Sequence, residues 1–380
     1  MAEVTPIPLS ELTTLRSGGV PARMIDAHTR EELIDALRDT WASGEPWLVL
    51  GGGSNLFAGD GELEHTVIRV RTTGIERLDD PADGIARIRV QAGHGWDDLV
   101  GWTVEHGLAG IEALSGVPGT VGAAPVQNIG AYGQEIVQTL VGVELIDEST
   151  GEVSDVPAAE LGLGFRTSVL KSHYGSVAER DAVILSVTLD LGIVGDAALA
   201  IPPGQLRTAL GLAENESMTL AEVRRAIVSI RARKGMVLDP ADPDTNSAGS
   251  FFQNAIVPED FARTLPSDCP RWPVAADSGT ATATAIPLAA YDGTVPPIVA
   301  ATQDVKVSAG WLIEHAGVAK GFRLPGSRAG LSTKHTLALT NRGGASAEEI
   351  AELARFVRAR VQSEFGLTLQ PEPILVGVEL

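Results

Sequence analysis

Gly51-Gly52-Gly53-Ser54-Asn55 follows directly on the short apolar run PWLVL (46–50). Backbone N–H groups left bare by glycine can cradle a diphosphate, and Ser54 and Asn55 add side-chain donors. The spacing is neither G-x-G-x-x-G opening a helix nor a Walker loop with its lysine, which disfavours a Rossmann-type dinucleotide site. A tight turn between two strands is the other reading of the same residues. A second stretch, VPGTVGAAPVQNIGAYGQE (117–135), holds four glycines, two adjacent alanines and one ionised residue, Glu135. Pro118 fixes its own φ there, and Gly119 and Gly122 permit close backbone approach. Two nearly uncharged glycine loops in one half of the chain could wrap an extended ligand such as a flavin dinucleotide. They could also simply let strands pack closely.

The elements that must position these loops are partly visible. Thr29 and Glu32 form a capping box ahead of a helix whose Leu33, Ile34 and Leu37 share one face. PWLVL is expected to be a short buried strand. IARIRVQA (85–92) alternates apolar and polar residues, as a half-buried strand does. A short helix is expected over 96–107, closed by Gly107. A hairpin is expected over 140–153, turning at 147–151, and another strand over 182–191. Residues 193–205 contain glycine, alanine and two prolines and mark a domain boundary. Beyond it, Thr219 and Glu222 cap a helix with Val223, Ile227 and Ile230 facing the core. Ser346 and Glu349 cap a last helix with Ile350, Leu353, Val357 and Val361 on one face, ended by Gly366. The segment 255–305 lacks a clear period and is expected to be an irregular surface insertion. Strands and helices alternate but include hairpins, which favours an α+β fold.

The chain has 380 residues, 29 Lys and Arg against 49 Asp and Glu, and a formal charge of −20. That balance argues against nucleic acid and against an anionic membrane surface as partners. A small anionic substrate remains compatible, because a local basic pocket can exist on an acidic protein. The single cysteine, Cys269, excludes an internal disulfide and fits a reducing, cytoplasmic setting. No signal peptide is expected at the N-terminus, and no apolar run is long enough for a transmembrane helix. The scattered histidines give no metal-binding spacing, so no structural metal is expected.

Six motifs in one order carry a resemblance. They are LGGGSNLF (50–57), IEALSGVPGTVGAAPVQNIGAYGQE (111–135), GFRTSVLK (164–171), NSAGSFFQN (246–254), VSAGWLIEHAG (307–317) and LSTKHTLALTN (331–341). Together they resemble the UDP-N-acetylenolpyruvoylglucosamine reductase family, from about residue 12 to the C-terminus. The resemblance implies a vanillyl-alcohol-oxidase-type FAD-binding fold of two α+β subdomains plus a C-terminal α+β substrate-binding domain. On this chain those would be 12–192, split near 72–84, and 206–380, with the insertion at 255–305. It implies noncovalent FAD, NADPH as co-substrate, and reduction of UDP-N-acetylglucosamine-enolpyruvate to UDP-N-acetylmuramic acid for peptidoglycan, by a monomer. Gly51, Gly52, Gly53, Ser54, Asn55, Pro118, Gly119, Gly122, Ile129 and Gly130 would bind FAD. Tyr132, Lys234 and Asn254 would bind substrate.

Ser250 matches the family's proton donor, Arg166 its arginine at the substrate carboxylate, and Glu372 in LQPEP its catalytic glutamate. A serine is a weak acid and must be polarised by its neighbours. A guanidinium can hold a carboxylate by two parallel hydrogen bonds and stabilise an enolate. Lys234, with Arg231 and Arg233, also fits the ordinary preference for cations at a helix C-terminus. Lys306 and Trp311 lie in a matching motif without an assigned role. Some relatives with this FAD fold attach flavin covalently through a histidine, and His94 in QAGHGW lies at the end of an expected strand, but the reductase family binds FAD noncovalently. The chain departs from many family members at AIPPGQL, where Pro203 precedes Gly204 and no clamp tyrosine is present. An FAD-dependent alcohol or sugar oxidase of the same fold, and a non-catalytic nucleotide-binding module, are the competing readings.

Overall fold

The computed structural model describes residues 2–171, 178–214, 216–274 and 304–380. Its N-terminal part holds two sheets. The first has four strands in the order Ala2–Val4, Pro21–Ala27, Leu63–Val70 and Trp47–Leu50; only the first pair is antiparallel. Helix Arg30–Ser43 makes the crossover between Pro21–Ala27 and Trp47–Leu50. Thr29 and Glu32 form its reciprocal capping box, Gly44 ends it in a left-handed conformation, and Leu33, Ile34 and Leu37 are buried. Short parallel strands need such a crossover.

The second sheet is antiparallel: Val153–Pro157, Leu140–Asp147, Ala182–Ile193, Ile85–Gln91 and Ile75–Arg77, with Leu108–Ala109 also beside Ala182–Ile193. Ala86, Ile88 and Val90 are buried while Ile85, Arg87, Arg89 and Gln91 are half-exposed, so the alternation in sequence is the alternation across the sheet. One apolar core joins the two sheets through Ile25, Ile68, Val90, Trp96, Leu145 and Val187. Helix Trp96–Glu105 leads from this sheet into the glycine-rich stretch.

The C-terminal part is built on helix Ala347–Phe365, capped by Ser346 and Glu349 and ended by left-handed Gly366; Ile350, Leu353, Val357 and Val361 are all buried. Two expectations change here. The 255–305 segment is not irregular at its start. Ala255–Pro258 and Arg271–Pro273 flank Asp304–Val307 in a three-stranded sheet, helix Glu259–Thr264 lies between the first two, and Ala262, Leu265 and Cys269 are buried in the C-terminal core. Strands of three or four residues are too short to show a period, and their prolines resemble loop signals. Residues 275–303 lie outside the described residues. The expected boundary loop also contains structure: Leu199–Ala200 pairs with Ser217–Met218, and Gln205–Leu210 is a short helix. These pack with helix Leu220–Arg233 as a small separate core of Ala113, Ile201, Leu206, Val223 and Ile227.

The two ends of the chain interlock. Strand Ile374–Val376 lies parallel to Leu56–Ala58, the strand that follows the glycine turn. Leu15 and Phe57 are buried in the C-terminal core. Phe251 stands edge-on to Phe57 at 5.7 Å and to Phe252 at 5.1 Å. Phe251 is fully buried, and its removal leaves a cavity between the two halves. Phe251→Ala should therefore destabilise the protein by about 3–5 kcal/mol. Chemical denaturation checks this; a loss under about 1 kcal/mol would show that the halves do not depend on this contact.

Candidate active site

The two glycine loops meet backbone to backbone. A Cβ on Gly52 would lie 2.7 Å from Gly119 Cα, and one on Gly53, at φ +61°, would lie 2.1 Å from the Leu12 carbonyl oxygen. The Ser54 hydroxyl donates to the Pro118 carbonyl at 3.1 Å, and Asn55 Nδ2 donates to Gln127 Oε1 at 2.7 Å. Gly122 packs on Ala92, where a Cβ would come within 2.6 Å of the alanine Cβ. Close packing thus explains part of the glycine content. Gly51, Gly119, Gly122 and Gly130 border a cavity of about 350 Å³.

That cavity is lined by Gly51, Ser54, Asn55, Pro118, Gly119, Gly122, Ile129 and Gly130 among the expected cofactor residues, and by Arg166, Ser250 and Glu372. Gly52 and Gly53 do not line it; they hold the turn against its neighbours. Apolar walls come from Val49, Val70, Trp96 and Ile184.

Arg166, Asn128 and Tyr132 are three of the four non-glycine residues with positive φ among the described residues, at 57°, 45° and 54°. Such conformations are strained for L-residues and gather at functional sites. Arg166 is held in place by its own side chain: Nη1 donates to the Asn128 carbonyl at 3.2 Å and Nη2 to the Gly130 carbonyl at 2.7 Å. Its Nε lies 3.3 Å from Glu372 Oε1, with both side chains largely buried. The main chain sets Glu372: its N–H donates to the Phe251 carbonyl at 2.9 Å, and Phe252 bridges Pro371. Ser250 precedes this pairing directly, so it and Glu372 enter the cavity wall side by side.

Two cationic residues of the wall escaped the sequence reading as site groups. Lys171, the last residue of GFRTSVLK, is buried, and Nζ donates to Gln127 Oε1 at 2.9 Å and to the Glu372 carbonyl at 3.0 Å. Burial pushes its pKa down to about 8, with Glu372 opposing and Arg166 adding to the shift. Arg231 is largely buried, which lowers its pKa, and its Nε has no hydrogen-bond partner. Nothing local in the sequence separates either from a surface cation; their burial is a tertiary property.

Tyr132, Lys234 and Asn254 do not line the cavity. Lys234 Nζ stands 5.6 Å from the centre of the Tyr132 ring, and burial raises the tyrosine pKa against the pull of Arg231 and Arg233. Tyr132 packs against the small core that includes Ile201 and Leu206. His335 is near Lys234, Lys320 and Arg231, and burial, reinforced by those cations, pushes its pKa down to about 4. Asn254 Oδ1 accepts from the Ala309 N–H at 3.0 Å, at the start of helix Ala309–His315. Lys306 Nζ sits 4.4 Å from the Phe165 ring centre, next to Arg166 in sequence. His94 accepts from the Gly74 N–H at 3.4 Å through Nδ1, and burial lowers its pKa.

A family model described as FAD binding domain matches residues 21–156, and one described as UDP-N-acetylenolpyruvoylglucosamine reductase, C-terminal domain, matches residues 239–376. The chain is 50% identical to UDP-N-acetylenolpyruvoylglucosamine reductase of Leifsonia xyli subsp. xyli, over 99% of each chain. It is 47% identical to the enzyme of that name from Nocardia farcinica, over 98% of this chain and 89% of the other. The chain belongs to the UDP-N-acetylenolpyruvoylglucosamine reductase family. The crystal structure of the Thermus caldophilus reductase superposes with a TM-score of 0.60 at 26% identity, covering 99% of this chain and 100% of that one. As a member of the reductase family, the chain is an FAD-dependent oxidoreductase of peptidoglycan synthesis with NADPH as reductant. Its fold combines the FAD-binding domain and the reductase C-terminal domain expected from the motifs.

The wall fits that cofactor. Bare backbone at Gly51, Gly119 and Gly130 admits a flat or anionic group, and aliphatic side chains face the same space. The fit depends on the distance between the two loops. Gly52→Ala puts a methyl into the Gly119 backbone, an overpacking that costs roughly 1–3 kcal/mol. FAD binding to the apoprotein, followed by flavin fluorescence, should weaken at least about tenfold. Wild-type affinity in that variant would separate the loop contact from cofactor binding.

Proposed function

We propose that Arg166, Ser250 and Glu372 carry the reduction of UDP-N-acetylglucosamine-enolpyruvate at the cavity described above. The observation that carries this is the Arg166–Glu372 pair, 3.3 Å apart in the wall that Ser250 and the glycine loops share. FAD held along Gly51, Pro118, Gly119 and Gly130 would supply the redox chemistry, hydride transfer between NADPH and C3 of the enol ether. The protein handles the charge and proton that remain. Arg166 spends one N–H of each terminal nitrogen on a backbone carbonyl. Each keeps one more, and two such donors match the two oxygens of a carboxylate. Negative charge that develops on that carboxylate as C3 is reduced is stabilised by the fixed guanidinium. Glu372 orients the guanidinium through its ion pair. Ser250 gives the proton to C2, which completes the saturated lactyl ether.

Lys234 and Tyr132, with Arg231 behind them, hold the anionic nucleotide end. Their cations fit a diphosphate better than they fit the acidic surface of the protein. Asn254 acts on substrate from the start of helix Ala309–His315. Gly52 and Gly53 act on FAD through the shape of the turn. The enzyme works in the cytoplasm as a monomer; the single cysteine and acidic composition are compatible with this. No described helix is long and apolar enough to cross a membrane.

Rapid mixing separates the two half-reactions. Ser250→Ala should leave flavin reduction by NADPH intact and slow reoxidation by the enolpyruvyl nucleotide by roughly 10²–10⁴-fold, the usual loss for a general acid. Equal losses in both would mean that Ser250 shapes the pocket and is not the donor. Arg166→Lys keeps the charge and loses the planar two-point grip. If the grip is tightest in the transition state, kcat and kcat/KM fall together. Near-normal values for both would remove Arg166 from the site.

A further inference from the structure

We infer that Lys171 is a positioning residue that sets Glu372 and, through Glu372, the guanidinium of Arg166. This rests on the roles of Arg166 and Glu372 proposed above. Two acceptors, Gln127 Oε1 and the Glu372 carbonyl, are each bound twice. Lys171 Nζ reaches them at 2.9 and 3.0 Å, and Asn55 Nδ2 at 2.7 and 3.3 Å. The knot ties the glycine turn, the second glycine loop and the C-terminal segment at one point in the cavity wall. Glu372 is fixed on both sides of its Cα. Its N–H is held by the Phe251 carbonyl at 2.9 Å and its C=O by Lys171 and Asn55. With both main-chain groups fixed, the carboxylate has little freedom except the direction that meets Arg166 Nε.

A buried ammonium is costly unless it is paired and hydrogen-bonded. Lys171 is buried and bonds a side-chain amide and a carbonyl, with the Glu372 carboxylate as its favourable charge. A neutral amide, Asn55, already joins the same two acceptors. What Lys171 adds is a second point of attachment and a positive charge close to the Glu372 carboxylate. Displacement of a reacting group by about 1 Å can cost about 10²-fold in rate, so the second attachment bears on turnover.

The test is a double-mutant cycle on the full-length holoenzyme, read as the rate of flavin reoxidation by the enolpyruvyl nucleotide. Lys171→Met removes the donors and charge at similar length. Glu372→Ala removes the carboxylate but keeps the carbonyl that Lys171 binds. Lys171→Met should slow reoxidation about 10²-fold in the native background. With Glu372→Ala already present, the same change should alter the rate by no more than about twofold. A loss of the same size in both backgrounds would overturn the inference, because Lys171 would then act independently of Glu372. A native rate in Lys171→Met alone would overturn it as well. If Lys171→Met does not fold, Lys171→Arg, which keeps the charge but moves the donors, enters the same cycle with the same two overturning outcomes. A native rate in Glu372→Ala alone is a different failure: the proposed role of Glu372 falls first.

Discussion

The site depends on one close approach, that of the backbone at Gly52 to the backbone at Gly119. No side chain fits between them. Because the two loops touch, Ser54 can reach the Pro118 carbonyl and Asn55 can reach Gln127. Those bonds fix the spacing of two walls of the cavity. Glycine gives up more chain entropy on folding than any other residue, so the unfolded chain is favoured at these positions. Caps, sheets and the apolar core on either side supply the compensation.

A second consequence is electrostatic. The protein carries a formal charge of −20, and its surface field repels anions. The cavity wall inverts that sign locally with Arg166, Lys171 and Arg231 against Glu372. Charges in such a partly buried setting act over a lower effective dielectric than charges at the surface. The inversion therefore holds within the site while leaving the exterior acidic. It also explains how an acidic composition, which argues against nucleic acid as a partner, still leaves room for a small anionic ligand.

The sequence makes local features legible and hides distant ones. The capping boxes at Thr29, Thr219 and Ser346 span four residues each, and all three helices start there. Strand Ile85–Gln91 shows its burial in its own alternation. Ser250, Arg166 and Glu372 came from motif resemblance, and the fold brings them to one cavity. Lys171 lay inside a recognised motif, but its partners Gln127 and Glu372 come from two other segments. Only the folded chain shows that this lysine is buried. Strands Ala255–Pro258 and Arg271–Pro273 were hidden for another reason: each is too short for a period and each contains proline.

The C-terminal segment carries the last step. Ile374 donates its N–H to the Asn55 carbonyl at 2.9 Å, and Glu372 donates to Phe251. Strand Ile374–Val376 then runs parallel to Leu56–Ala58. The Glu372 main chain is thus suspended between Asn55 of the glycine turn and Phe251, the residue after Ser250. Neither half of the chain alone contains both anchors. The glycine turn, Arg166 and Glu372 meet in one cavity wall because strand Ile374–Val376 pairs with Leu56–Ala58, which ties the C-terminal segment to the N-terminal part of the chain.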